Sequence, residues 1–220
     1  MSENFEQVSG PGWYPKAIHK PIKPGLNDAK IVPKQVILHT AVSDADSLRD
    51  FFATQSGGIE SHFYIRRNGI VEQYRGIYWE ADANYRANVR AVSVETAGYG
   101  NQFWTVDQLN SIKELLLWAN KSANIPLKVI PEWDMPGVGY HVLFDEWHPT
   151  PKSCPGPYRI NQFRDIIVPW MKLNNWSKKD LMDALDKAIG ECKKAPIERT
   201  KVKDTLPKLV EVRDSLNKKN

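Results

Sequence analysis

Lys152-Ser153-Cys154-Pro155-Gly156 sets a cysteine on a turn fixed by proline and glycine, with a lysine two residues earlier and His148 and His141 upstream. A thiolate is a strong zinc ligand, at about 2.3 Å, and the Pro-Gly that follows restricts the backbone presenting it. His39 closes the apolar run Gln35-Val36-Ile37-Leu38, where a rigid element can hold an imidazole. With His39, a later histidine and Cys154 as ligands, three protein donors leave the fourth zinc position to water, which separates a catalytic site from a structural one. Glu95 is the lone carboxylate of Val92-Ser93-Val94-Glu95. Such a group must be paired, or face a cleft where a shifted pKa is useful. A glutamate beside metal-held water is a natural general base, and Lys152 is a fixed positive charge able to meet an oxyanion. Together these residues suit metal-assisted hydrolysis of an amide. A rival reading closes the zinc with His39, His141, His148 and Cys154 as a four-ligand structural site.

Those side chains need elements to hold them. Gln35 to Thr40 reads as a buried strand ending at the histidine, and Asp46-Ser47 can cap a helix through Leu48, Phe51 and Phe52. His62-Phe63-Tyr64-Ile65-Arg66, the turn Arg67-Asn68-Gly69, and Ile70-Val71-Glu72-Gln73-Tyr74 form a hairpin signal, Asn-Gly between alternating strands. Ala91 to Thr96 is a further strand. Thr105-x-x-Gln108 is a capping-box pattern opening a helix with Leu109, Ile112, Leu116 and Ala119 on one face. Val129-Ile130 reads as a short strand and Ile160 to Met171 as a helix. Gly10 to Pro33, rich in proline, glycine and aromatics, reads as an ordered arm over the domain, neither helix nor strand. Alternating strands and helices predict an α/β fold, a mixed central β-sheet flanked by helices with a C-terminal helical tail. The expected organisation is an N-terminal arm over 1–30, a catalytic domain over 31–174 and a basic helical region over 177–220.

In 220 residues, 41% hydrophobic and 25% charged, the composition is that of a soluble globular protein with one ordinary core and a small appendage. No run reaches the roughly 18 apolar residues of a membrane helix, which argues against membrane insertion. The acidic N-terminus lacks an apolar stretch, so no secretory signal is expected. From 177 to 220 there are 12 Lys plus Arg against 8 Asp plus Glu, leaving 18 against 18 in the remainder. The excess of +4 therefore sits in the tail. A neutral main domain argues against nucleic-acid binding, and the tail is suited to an anionic surface. The only cysteines are Cys154 and Cys192. Two in so long a chain make no disulfide framework, and Cys192 reads as a small apolar residue on a helix face.

Four segments resemble the zinc-dependent N-acetylmuramoyl-L-alanine amidases of the type-2 amidase and peptidoglycan-recognition-protein superfamily, particularly those of phage endolysins. They are Val36-Ile37-Leu38-His39-Thr40, Ser61-His62-Phe63-Tyr64-Ile65-Arg66-Arg67-Asn68-Gly69, Ser93-Val94-Glu95 and Lys152-Ser153-Cys154-Pro155-Gly156. Each is weak alone; in order across about residues 30 to 170 they are specific. The resemblance implies Zn2+ held by His39, a later histidine and Cys154, with Glu95 as general base and Lys152 as oxyanion stabiliser. It implies cleavage between N-acetylmuramic acid and L-alanine of bacterial peptidoglycan. It further implies a lysin kept in the host cytoplasm until a separate membrane-permeabilising protein releases it to the wall.

The chain departs from the family pattern in two places. The position of a tyrosine thought to assist catalysis in some members is Ser61, which leaves that role to Glu95. The second histidine is usually about eight residues before the cysteine; here His148 lies six before and His141 thirteen before. Gly139-Tyr140-His141 matches the family's Gly-His strand end better, so His141 is the preferred ligand, His148 the alternative. His62, Trp79, Asn84 and Tyr99 are candidate substrate contacts, each with a competing role in packing, and His19 in the arm is expected to have no catalytic role. Within the same superfamily the alternatives are a binding protein that does not cut and an intracellular amidase recycling muropeptides. The tail is expected to bind the wall or to self-associate.

Overall fold

In the computed structural model, residues 8, 10–22, 29–54, 58–175, 178–194 and 210 are described. The chain divides into two compact units, Met1–Met171 and Lys172–Asn220. The first is built on six strands: β1 (Ile18–His19), β2 (Gln35–Leu38), β3 (Phe63–Ile65), β4 (Val71–Gln73), β5 (Ala91–Thr96) and β6 (Gly137–Tyr140). Their order across the sheet is β1-β4-β3-β5-β2-β6. Of these strand pairs, all among the described residues, β3–β4 is antiparallel and β1–β4, β3–β5, β5–β2 and β2–β6 are parallel. Helices α1 (Arg49–Thr54), α2 (Val106–Ala123) and α3 (Pro157–Gln162) belong to this unit. A π-helical turn, Phe163–Ile167, continues α3 into α4 (Val168–Asn174).

Alternation along the central strands gives the sheet two different faces. Val36, Leu38, Phe63, Ile65, Val92, Val94 and Val138 point to the side covered by Leu109, Ile112, Leu115, Leu116 and Ala119 of α2, with Phe163, Ile167 and Met171, in the main core. On the other face Ile37 and Ala91 pack with Ala87, Ile130 and Trp147. His39 and Glu95, in phase with Ile37, Ala91 and Ser93, fall on this second face.

The expected α/β architecture is present, a mixed sheet of six strands flanked by helices. Three details differ. The arm contributes the parallel strand β1, which adds Ile18 and His19 to the sheet edge beside Glu72 and Gln73. Val129 makes only an isolated bridge, to Val138, and the strand in this region is instead the glycine-containing Gly137–Tyr140. The helix expected from Ile160 begins earlier, at Pro157, the first position of a helix and one proline tolerates well. In the second unit α5 spans Lys178–Lys194 and includes the backbone of Cys192. Leu206, Leu209 and Leu216 of the expected second tail helix lie outside the described residues; Val210 is described as helical. Among the described residues no helix is long and apolar enough to cross a membrane.

The capping box of α2 forms in full: Gln108 N donates to Thr105 Oγ1 (3.0 Å) and Thr105 N donates to Gln108 Oε1 (3.1 Å). Thr105 Oγ1 also donates to Arg67 O at 2.7 Å, tying the helix start to the β3–β4 turn. Replacing Thr105 by Ala is expected to cost about 1–2 kcal/mol, the upper end for an N-cap. Urea denaturation measures this, and an unchanged midpoint would contradict the assignment.

Candidate active site

Parallel pairing carries three strand ends to one edge of the sheet. Leu38 is in register with Val94 on one side and Tyr140 on the other, so His39 and His141, each one residue beyond its strand, emerge beside Glu95 near the end of β5. Crevices at the carboxyl ends of parallel strands are the usual place for ligands in such folds. The fourth group arrives from the loop before α3. Thr40 N donates to Cys154 Sγ (3.2 Å), Thr40 Oγ1 donates to Pro155 O (2.8 Å), and Val142 N donates to Cys154 O (3.2 Å). Gly156 is the residue this turn requires. Its φ is +96°, and a Cβ there would lie 2.0 Å from Gly100 O.

Donor atoms of His39, His141 and Cys154 all lie within 4.8 Å of one another. The His39 and His141 rings are 4.4 Å apart at their centroids, and His39 Nδ1 is 3.8 Å from both Cys154 Sγ and Glu95 Oε1. Each imidazole is oriented through its other nitrogen. His39 Nε2 donates to Asn84 Oδ1 (2.8 Å) and His141 Nε2 donates to Trp147 O (3.2 Å). Since a carbonyl oxygen only accepts, both Nδ1 atoms are left as lone-pair donors facing the cluster, the arrangement metal-ligating histidines adopt. Trp147 reaches that position because residue 139 is glycine; a Cβ there would sit 3.0 Å from the indole.

The electrostatics of the cluster are compatible with a bound cation. Burial, and secondarily His141, holds His39 well below the usual imidazole range. Burial lowers His141 to about 4, so both rings are neutral at pH 7. Burial pushes the Cys154 thiol up, Glu95 adding to the effect, and thiolate formation there calls for a positive charge. Glu95 is raised to about 8 by burial, against the pull of Arg159, and its Oε2 has no hydrogen-bond partner. Two neutral imidazoles, a thiol and a nearby unsatisfied carboxyl match the donor set of a three-ligand zinc site.

A cleft of about 450 Å³ opens over this cluster, lined by His39, Glu95, His141, Lys152 and Cys154. Exposed Val42, Ile59 and Tyr85 give it an apolar rim. His148 is outside the cluster: its Nδ1 meets Thr150 O at 2.8 Å, and its ring centroid is 5.7 Å from that of His141. The four candidate substrate contacts lie elsewhere. Asn84 is fully buried and orients His39. Tyr99 is exposed but does not line the cleft. Trp79 is half-buried and faces a separate groove with Trp13, Arg49 and Arg75. His62 is fully buried, with Nδ1 accepting from Ser93 N (3.1 Å) and Nε2 donating to Trp79 O (2.8 Å). Sequence reasoning passed over Thr40, Trp147 and Arg159; only the adjacency of Thr40 to His39 was a signal.

Such a cleft at the carboxyl edge of parallel strands, floored by two imidazoles, a thiol and a carboxyl, defines an α/β protein with a metal-competent centre. Residues 28–157 match the family model described as N-acetylmuramoyl-L-alanine amidase, and the chain belongs to that family. No curated protein matches it. Among solved structures it is similar to the N-acetylmuramoyl-L-alanine amidase LysC from Clostridium intestinale URNW, at 20% identity and TM-score 0.56, over 70% of this chain and 99% of that one. It is also similar to Manduca sexta peptidoglycan recognition protein-1, at 22% identity and TM-score 0.52, over 68% of this chain and 89% of the other. A third is peptidoglycan recognition protein-LE in complex with tracheal cytotoxin, at 14% identity and TM-score 0.53, over 68% and 93%. At these identities the likeness establishes a shared fold.

His62 gives the site's surroundings an acid-sensitive point. Burial lowers it to about 4 from an ordinary 6.5. A base with a depressed folded pKa contributes stability present above 6.5 and lost as pH falls toward 4. The loss over that window is on the order of 3 kcal/mol at 1.36 kcal/mol per unit. His62→Gln should be less stable at pH 7 but show a shallower fall in melting temperature between pH 6.5 and 4. Parallel pH curves for the two proteins would remove His62 from this role.

Proposed function

We propose that this chain is a zinc-dependent N-acetylmuramoyl-L-alanine amidase of the phage endolysin type, hydrolysing the amide between N-acetylmuramic acid and L-alanine of the stem peptide. The observation carrying the proposal is the convergence of His39, His141 and Cys154 beneath a cleft that also holds Glu95. His39, His141 and Cys154 would hold the zinc, which when bound acidifies water toward roughly neutral pKa and polarises a carbonyl. Glu95 takes the proton of the attacking water and returns it to the leaving amine. Its high pKa in the apoprotein falls beside a divalent cation, since opposite charge favours the ionised carboxyl. Lys152, exposed on the cleft wall, supplies positive charge where the tetrahedral oxyanion develops, a contribution of about 3–4 kcal/mol for a well-placed donor. The presence of both the cysteine and the glutamate favours cutting over recognition alone. The lysin reading has the protein reach the wall after release from the host, with the basic region from 177 attracted to anionic wall polymers.

Mass spectrometry of purified peptidoglycan after digestion identifies the bond cut; intact lactyl–alanine linkages would overturn the proposal. Glu95→Gln should keep zinc and fold while turnover drops by about two to four orders of magnitude, the size of a general-base contribution. Retention of more than about a tenth of wild-type turnover would exclude Glu95 as the base.

Metal content separates the ligands. Cys154→Ser and His141→Ala should lose zinc, since each removes one of three donors, whereas His148→Ala should keep it. Stoichiometric zinc in the His141 variant with none in the His148 variant would reverse the assignment.

A further inference from the structure

We infer that Arg159 is a positioning residue for the metal ligands, acting through two threonine hydroxyls that a single guanidinium nitrogen fixes at once. The inference rests on the reading that His39, His141 and Cys154 hold zinc.

Arg159 is fully buried, in the first turn of α3, three residues beyond Gly156. Its Nη1 donates to Thr40 Oγ1 at 2.6 Å and to Thr96 Oγ1 at 2.8 Å. That nitrogen carries two N–H groups and no lone pair to accept with. Each threonine oxygen that accepts from it must turn its own hydrogen elsewhere. Thr40 donates to Pro155 O at 2.8 Å, and Thr96 donates to His39 O at 2.5 Å. Trp104 Nε1 also donates to Thr96 Oγ1, at 2.9 Å, which takes up the remaining capacity of that hydroxyl.

The two hydroxyls therefore have one orientation each, and each holds the backbone of a ligand segment. One pins the carbonyl of His39 itself. The other pins the residue after Cys154, while the backbone N–H of the same Thr40 donates to the Cys154 sulfur. The remaining contacts fix the guanidinium against the β5 end and the loop after it: Nη2 donates to Ala97 O (2.8 Å) and Nε donates to Gln102 O (3.1 Å). His39 and Cys154 come from segments 115 residues apart in the chain. Arg159 is the group that sets their backbones in a common frame. Outer contacts of this kind hold ligands in binding geometry, and their loss commonly weakens metal affinity by about 10–100-fold.

The test uses the full chain as apoprotein, titrated with zinc against a competing chelator and with Co2+ as a spectroscopic reporter of thiolate ligation. Arg159→Met and Thr40→Val should each weaken zinc binding by about 10–100-fold and alter the cobalt–thiolate absorption. Combined, they should lose little more than the worse single variant, because both break one path. Thr40→Ser, which keeps the hydroxyl, should return affinity to within a few-fold of wild type, a rescue that simple loss of packing would not give. If Arg159→Met does not fold, the Thr40 Val and Ser pair decides alone. Wild-type zinc affinity and cobalt spectrum in folded Thr40→Val or Arg159→Met protein, or full additivity in the double variant, would overturn the inference. Failure of the wild type to bind zinc at all would instead overturn the metal reading on which it stands.

Discussion

Parallel hydrogen bonding among β5, β2 and β6 is the constraint from which the site follows. Parallel strands run the same way, so the residues near their carboxyl ends meet at one edge, and register decides which face they occupy. Leu38 lies level with Val94 and Tyr140. A slip of one residue in either pairing would turn His39 or His141 toward the α2 core. The apolar alternation that buries Val36, Leu38, Val92 and Val94 against α2 therefore also aims His39 and Glu95 at the opposite face. Packing energy on one side of the sheet fixes chemistry on the other.

The same burial sets the protonation of the clustered groups. Two imidazoles are kept neutral, a thiol is kept protonated, and a carboxyl is raised to about 8 with one oxygen lacking any hydrogen bond. At neutral pH only the carboxyl departs from its unfolded ionisation and costs stability; the rings and the thiol are uncharged in both states, and neutral imidazoles are the form that binds a metal. Arg159 supplies positive charge behind Glu95 and Cys154, yet its donors are directed to threonine hydroxyls and backbone carbonyls. It shapes the site without neutralising it.

What the sequence made legible was whatever depends on near neighbours. The hairpin at Asn68-Gly69, the capping box at Thr105 and the turn at Cys154-Pro155-Gly156 all carry their physical reason within a few residues. Composition gives β6 weak strand character because of Gly137 and Gly139, and only the resemblance marked its Gly139-Tyr140-His141 end; glycine is needed at 139 so that the Trp147 indole can approach. The partnership of Asn84 with His39 joins residues 45 apart, and that of Arg159 with Thr40 joins residues 119 apart. No local pattern marks either. His62 shows the opposite difficulty, since its position beside the family-like hairpin offered both a packing and a cleft role. In the structure it is fully buried and bonded to Ser93 and Trp79, contacts that no local pattern foretells.

The choice between His141 and His148 turns on the same principle of position over spacing. Counting back from Cys154 favours neither decisively, and His148 is the nearer in sequence. His141 has what a ligand needs, an end-of-strand location in register with His39 and a carbonyl, Trp147 O, to fix its ring. The loop between the two histidines folds into two short 3-10 turns, His141–Leu143 and Asp145–Trp147. They bring Trp147 back over Gly139, where its carbonyl accepts from His141 Nε2. His148 follows directly after Trp147 and lies outside the cluster of donor atoms. The lengthened loop thus leaves the earlier histidine, not the later one, in the cluster with His39 and Cys154.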